Sequence, residues 1–90
     1  MYKIKDYSYK QADKLGVKIK PSTNPKKKID VFKNNEKIAS IGAIGYKDYP
    51  TYLQEDKKVA EMKRKNYKAR HEKDRNIKNS NGYFADKILW

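Results

Sequence analysis

The sequence predicts an α+β domain: a small three-stranded antiparallel sheet packed by one long basic helix, with short N- and C-terminal helices. Three observations predict it. Apolar and polar residues alternate in 17–20 and again between 29 and 44, the two-residue period of strands with one buried face. Residues 51–75 contain no glycine or proline and sort at helical spacing into an apolar side and a cationic one. Phe84, Ile88 and Leu89 or Trp90 recur at helical spacing near the C-terminus.

The elements follow in order along a single domain, residues 1–90. Residues 1–16 open with alternating Tyr2, Ile4 and Tyr7, after which Ser8 caps a short helix running to Leu15. Gly16 ends it by taking the left-handed conformation other residues resist. A helix this brief must dock, through Ala12 and Leu15.

Residues 17–45 form the sheet. Val17-Lys18-Ile19-Lys20 is the first strand, and Pro21 and Pro25 bracket a loop because neither can donate to a ladder. Ser22, Thr23 and the triplet Lys26-Lys27-Lys28 make that loop either a phosphate holder or a solvated run, the second being favoured. Residues 28–33 and 37–43 flank Asn34-Asn35-Glu36, a hairpin turn because asparagine tolerates positive φ. Ile29 and Val31 share one face, while Ile38 and Ser40 alternate against Ala39 and Ile41. Gly42 and Gly45 mark the exit from the sheet, as a bulge or a close backbone approach.

The basic helix is expected over residues 50–75. Either Pro50 takes the first helical position, or Thr51 caps it and Gln54 completes a capping box. Tyr52, Leu53, Val59, Ala60, Met62, Tyr67 and Ala69 fall on one side; Lys57, Lys58, Arg64, Lys65 and Lys68 fall on the other. Asp56, Lys63 and Arg70 lie inside the apolar arc, where they snorkel along the sheet edge or line a polar groove. After a polar turn, residues 82–90 form the terminal apolar helix, capped by Ser80 or Asn81. Its apolar side is read as a core plug, with an exposed anchor for a partner as the alternative.

Composition narrows the function. The chain holds 23 Lys and Arg against 11 Asp and Glu, a net charge of +12, beyond the roughly 2–8 of ordinary small domains. Such charge attracts polyanions, nucleic acid first among them. With no cysteine and only His71, thiolate and histidine-rich metal sites are excluded, and no metal or other cofactor is expected. No apolar run is long enough for a membrane span or secretory signal, so no membrane partner is expected. His71 with Glu72 and Asp74 makes a poor catalytic cluster, and no enzymatic activity is expected.

Lys57 to Lys78 is the densest basic run, with ten Lys or Arg against three Asp or Glu. Lysine is a point charge suited to phosphates, so a lysine-dominated run points to backbone contact with little sequence choice. The candidate contacts are Lys57, Lys58, Arg64, Lys65, Lys68 and Arg75, joined by Lys26 and Lys27 from the loop. Tyr46 and Tyr49 are candidates for stacking on unpaired bases, whereas Tyr52 and Tyr67 are read as core. DNA is expected ahead of RNA; the rival partner is an acidic protein face.

Three segments, GAIGYKDYPTY (42–52), YKARHEK (67–73) and GYFADKILW (82–90), resemble a small lysine-rich domain of unknown function found in nucleocytoplasmic large DNA viruses. The resemblance covers roughly residues 17–90. It implies a setting, the virus-infected cell (viral factory or nucleus) and the virion, and it implies no mechanism. The expected function is therefore a non-catalytic, largely non-sequence-specific nucleic-acid-binding protein of such a virus. The alternative is a minor virion component whose basic face meets an acidic protein.

Overall fold

A computed structural model describes residues 2–90. The chain forms α1 (Asp6–Leu15), β1 (Lys18–Pro21), β2 (Lys27–Lys33), β3 (Glu36–Ala43), α2 (Tyr49–Glu55), α3 (Lys57–Arg70) and α4 (Asn81–Leu89). The fold is α+β, with a three-stranded antiparallel sheet in the order β1-β2-β3. Among the described residues no helix is long and apolar enough to cross a membrane.

The sheet forms as its alternation dictates. Ile29 pairs with Ile41, and Val31 pairs with Ile19 on one side and Ala39 on the other, so one face is continuously apolar. Asn34 and Asn35, both at positive φ, turn the β2–β3 hairpin. Alternation points Ile38 away from the core that takes Ala39 and Ile41, and a bulge between Val31 and Phe32 also leaves it out of the pairing. Gly42 makes a close approach: a Cβ there would lie 2.8 Å from Leu89 Cδ1 and 2.9 Å from Lys28 Cδ.

The apolar face is covered from both ends of the chain. Ile4 and Ala12 from the N-terminal segment, with Phe84, Ile88 and Leu89 of α4, complete one core with the strands. The terminal helix is thus a core plug, capped by Ser80, whose hydroxyl accepts from the Tyr83 N–H. Gly16, at φ +73°, ends α1 as expected. Ser8, expected as the cap of α1, lies instead inside the helix. Lys5 holds the cap position with no side-chain bond, and the buried Ser8 hydroxyl donates to the Ile88 carbonyl at 2.9 Å, tying α1 to α4.

The long helix expected over 50–75 is two helices. The chain breaks at Asp56, which is extended (φ −162°, ψ 115°) and whose carboxylate accepts from the N–H groups of Lys58 and Val59. An aspartate that bonds two and three residues ahead competes with helical continuation, so a break needs neither glycine nor proline. The cap of α2 is Asp48, not Thr51, and Pro50 sits in its first turn. Residues 71–75 are turns beyond α3.

Candidate nucleic-acid interface

Which cations are free depends on which face of α3 turns inward. Ala60 is fully buried, and Arg64, Tyr67, Lys68 and His71 follow it on the same side at spacings of three and four. Met62 and Ala69, assigned by periodicity to the apolar side, are exposed. The inward stripe is chosen by its partners. Lys68 Nζ lies 2.6 Å from the Oδ1 of Asp86, a carboxylate wholly buried in α4. The Arg64 guanidinium lies over the Tyr49 ring, its Cζ 4.7 Å from the centroid. Arg64 Nε and Asp86 Oδ2 are both buried without a hydrogen-bond partner among the described residues.

Four of the expected contacts are engaged within the fold. Arg64 and Lys68 face the fold. Arg75 is held by Glu72 at 2.6 Å and donates to the Lys68 carbonyl, closing the turn after α3. Tyr49 is only 7% exposed: its hydroxyl donates to Glu61 at 2.8 Å, and Tyr7 packs edge-on at 5.3 Å. Burial and the Glu61 carboxylate push the Tyr49 phenol above its ordinary pKa. No face of that ring is open to a base.

The remaining candidates stay on the surface. Lys57, Lys58 and Lys65 are exposed on α3 with no ion pair among the described residues. Lys58 and Lys65, seven apart, lie one above the other. Lys63 and Arg70, expected to snorkel or line a groove, are also exposed and extend this cationic surface. Periodicity had hidden them inside an apolar arc of which the structure buries Ala60 and half-buries Tyr67 but leaves this part open. Tyr52, Trp90, Tyr67 and His71 make an aromatic row instead, with Trp90 stacked on Tyr67 at 4.4 Å and Tyr67 on His71 at 4.3 Å.

Residues 17–71 match a family of unknown function (DUF5754). The chain belongs to that family. No curated protein and no solved structure matches it. The matched span holds the whole sheet, α2, α3 and every candidate contact except Arg75; α1 and α4 lie outside it.

A second basic surface lies mostly within the same span. The loop after β1 and the segment after β3 face each other across an open cavity of about 700 Å³. Lys27 and Tyr46 line it, with Lys5 and Lys47, which the sequence did not single out. Both walls are fixed from beneath. Ser22 donates to Asp30 at 2.6 Å, Ser40 donates to the same carboxylate at 2.7 Å, and the Thr23 N–H adds a third bond. Burial pushes the Asp30 carboxyl up, but these hydroxyl and amide donors outweigh it and hold its pKa below the ordinary value.

The opposite wall hangs on Lys28. Although it belongs to a lysine triplet, Lys28 is 4% exposed; its ammonium donates to the Tyr46 carbonyl and to Asp48 at 2.9 Å. Asp48 also accepts from the Tyr2 hydroxyl at 2.6 Å and from both the N–H and the hydroxyl of Thr51. Ser22 and Lys28 are therefore spent on structure, so the phosphate-holding reading of the loop loses two of its members. Lys26 stays exposed, and Lys27 lies half-buried at the cavity rim.

His71 and its neighbours are dispersed. The imidazole stacks on Tyr67 with Nδ1 3.6 Å from Asp74, while Glu72 is taken by Arg75 and Asn76. The last carbonyls of α3 are not bonded by this ring; the His71 backbone N–H donates to Tyr67. Among the described residues no three His, Cys, Asp or Glu side chains converge as a metal set would.

Proposed function

We propose that this chain is a non-catalytic, largely non-sequence-specific nucleic-acid-binding protein of a nucleocytoplasmic large DNA virus, holding the phosphate backbone through its lysine surface. The carrying observation is how the charges are distributed. Asp30, Asp48 and Asp86 are sealed inside, while only six of the 23 Lys and Arg side chains form ion pairs among the described residues. The surface is left richer in uncompensated cations than the totals suggest, and a polyanion is its natural counterpart. The viral setting draws its support from the resemblance of residues 42–52, 67–73 and 82–90.

The contact set is Lys57, Lys58, Lys63, Lys65 and Arg70 on α3, with Lys26 and Lys27 on the loop. If five or six phosphates are neutralised, log affinity falls with log salt at a slope of about −5. The test is the affinity of labelled mixed-sequence DNA between about 50 and 200 mM salt, for the parent and for a Lys57→Glu, Lys58→Glu, Lys65→Glu variant. The variant should bind far more weakly, with a slope flatter by about one unit per lysine. An unchanged affinity sinks the proposal. Parent binding that is weak and gone by about 150 mM salt transfers the basic face to an acidic protein partner, such as a virion component.

A further inference from the structure

We infer that the cavity between the loop after β1 and the segment after β3 is a seat for unpaired nucleic acid, in which a base stacks on Tyr46 while Lys27 and Lys47 meet the flanking phosphates. The inference rests on the nucleic-acid reading and adds to it the strand form and the place of contact.

The tyrosine has the required exposure. Tyr46 is 76% exposed, the most open of the large hydrophobic side chains, and it stands on the wall of a concave site. An apolar ring held in water without a packing partner gains from covering its face, and every base presents one. Its backbone is nonetheless anchored. The Tyr46 N–H donates to the Ala43 carbonyl, and its own carbonyl accepts from the buried Lys28 ammonium. Gly45, at φ +95°, sets the turn that presents the ring. The platform is therefore pre-positioned, which lowers the ordering cost of binding.

Size and charge select the ligand. About 700 Å³ lies within the roughly 300–1,000 Å³ of sites that enclose a small ligand, and it suits a nucleotide unit. A duplex keeps its base faces stacked on one another and offers none to a ring in a recess. The cations share the cavity with the ring: Lys27 and Lys47 line it, and among the described residues no carboxylate does. Lys47 is paired with Glu55 at 2.7 Å, but both are half-exposed, so a phosphate can replace that carboxylate.

The experiment compares a short labelled single strand with its duplex, for the parent, Tyr46→Ala, Tyr46→Phe and the α3 variant Lys57→Glu, Lys58→Glu, Lys65→Glu. Trp90 fluorescence checks that each variant is folded. Tyr46→Ala should weaken single-strand binding by about five- to 140-fold, the range for loss of one stacked base. Duplex binding should change less than about two-fold, and Tyr46→Phe should keep the parent's preference. If Tyr46→Ala leaves the single strand untouched while the α3 variant loses both forms, the seat is refuted and the backbone-binding reading survives. If the parent binds neither form, both fall together.

Discussion

Replacing Asp48 with alanine removes four accepted hydrogen bonds at one buried point, from Tyr2, Lys28 and twice from Thr51. The same change strips α2 of its cap and leaves the Lys28 ammonium, 4% exposed, with the Tyr46 carbonyl and the Tyr2 ring but no counter-charge. Breaking a buried ion pair from one side costs about 3–5 kcal/mol, because the surviving charge stays buried. At roughly 0.05–0.15 kcal/mol per residue, a domain of 90 residues holds about 5–13 kcal/mol in all. One substitution should therefore remove roughly a quarter or more of the stability. With about 4–8 °C per kcal/mol at this size, Tm should fall by at least about 12 °C. Thermal and urea unfolding followed through Trp90 fluorescence measures it. Adding Lys28→Met removes the stranded charge, so the double variant should be more stable than Asp48→Ala alone. A single variant within about 1 kcal/mol of the parent, or a double variant no better than the single, would refute the reasoning.

Acid gives the same group a second readout. Burial pushes the Asp48 carboxyl up, but the bonds from Thr51, Tyr2 and Lys28 outweigh it and hold its pKa below the ordinary carboxylate value. A folded value below the unfolded one means the stabilisation is complete above the ordinary carboxylate range and is lost as pH falls through the folded value. The parent should therefore lose stability faster than Asp48→Ala below that range, and the gap between them should narrow.

Two further outcomes are expected. Gly42→Ala should cost about 2–4 kcal/mol in urea unfolding, since φ +79° strains any L side chain and the new Cβ meets Leu89 and Lys28. Gly16→Ala, at φ +73° with nothing within 4 Å, should cost only the backbone share, about 1–2 kcal/mol. Lys68→Met should lower stability by about 1–3 kcal/mol by leaving Asp86 without its close partner, with DNA affinity unchanged. Lys65→Met should do the reverse, lowering affinity with unchanged stability; the same response from both lysines would contradict the orientation of α3.

The fold was legible in the sequence wherever a local rule decides. Strand alternation, the Asn34-Asn35 turn, the left-handed Gly16 and the Ser80 cap each follow from one or two neighbouring residues. What was not legible depends on groups far apart in the chain. Nothing near Lys68 indicates that a carboxylate 18 residues later will draw it inward, and so periodicity set Ala60 and Tyr67 on the right side of α3 but Met62, Ala69, Arg64 and Lys68 on the wrong one. Lys26, Lys27 and Lys28 look alike until Asp48 singles out the third. The break at Asp56 was hidden for another reason: an aspartate tolerated early in a helix is also one of its best caps, and the sequence shows both possibilities equally. Tyr46 and Tyr49 likewise differ in Tyr7, Glu61 and Arg64, which cover the second and leave the first open.

The Ser8–Ile88 bond and the burial of Phe84, Ile88 and Leu89 also bear on how the chain is born. Synthesis proceeds at about 5–20 residues per second, so the hairpin and α3 emerge seconds before the helix that seals them. Throughout that interval Ile29, Val31 and Ile41 have no cover from α4, and β3 presents an unpaired edge. Completion of the core is thus a late event, and the nascent sheet is exposed to its neighbours on crowded ribosomes. The lysines that suit a polyanion also keep those unfinished chains apart by mutual repulsion, so the charge has a use before the protein meets any partner.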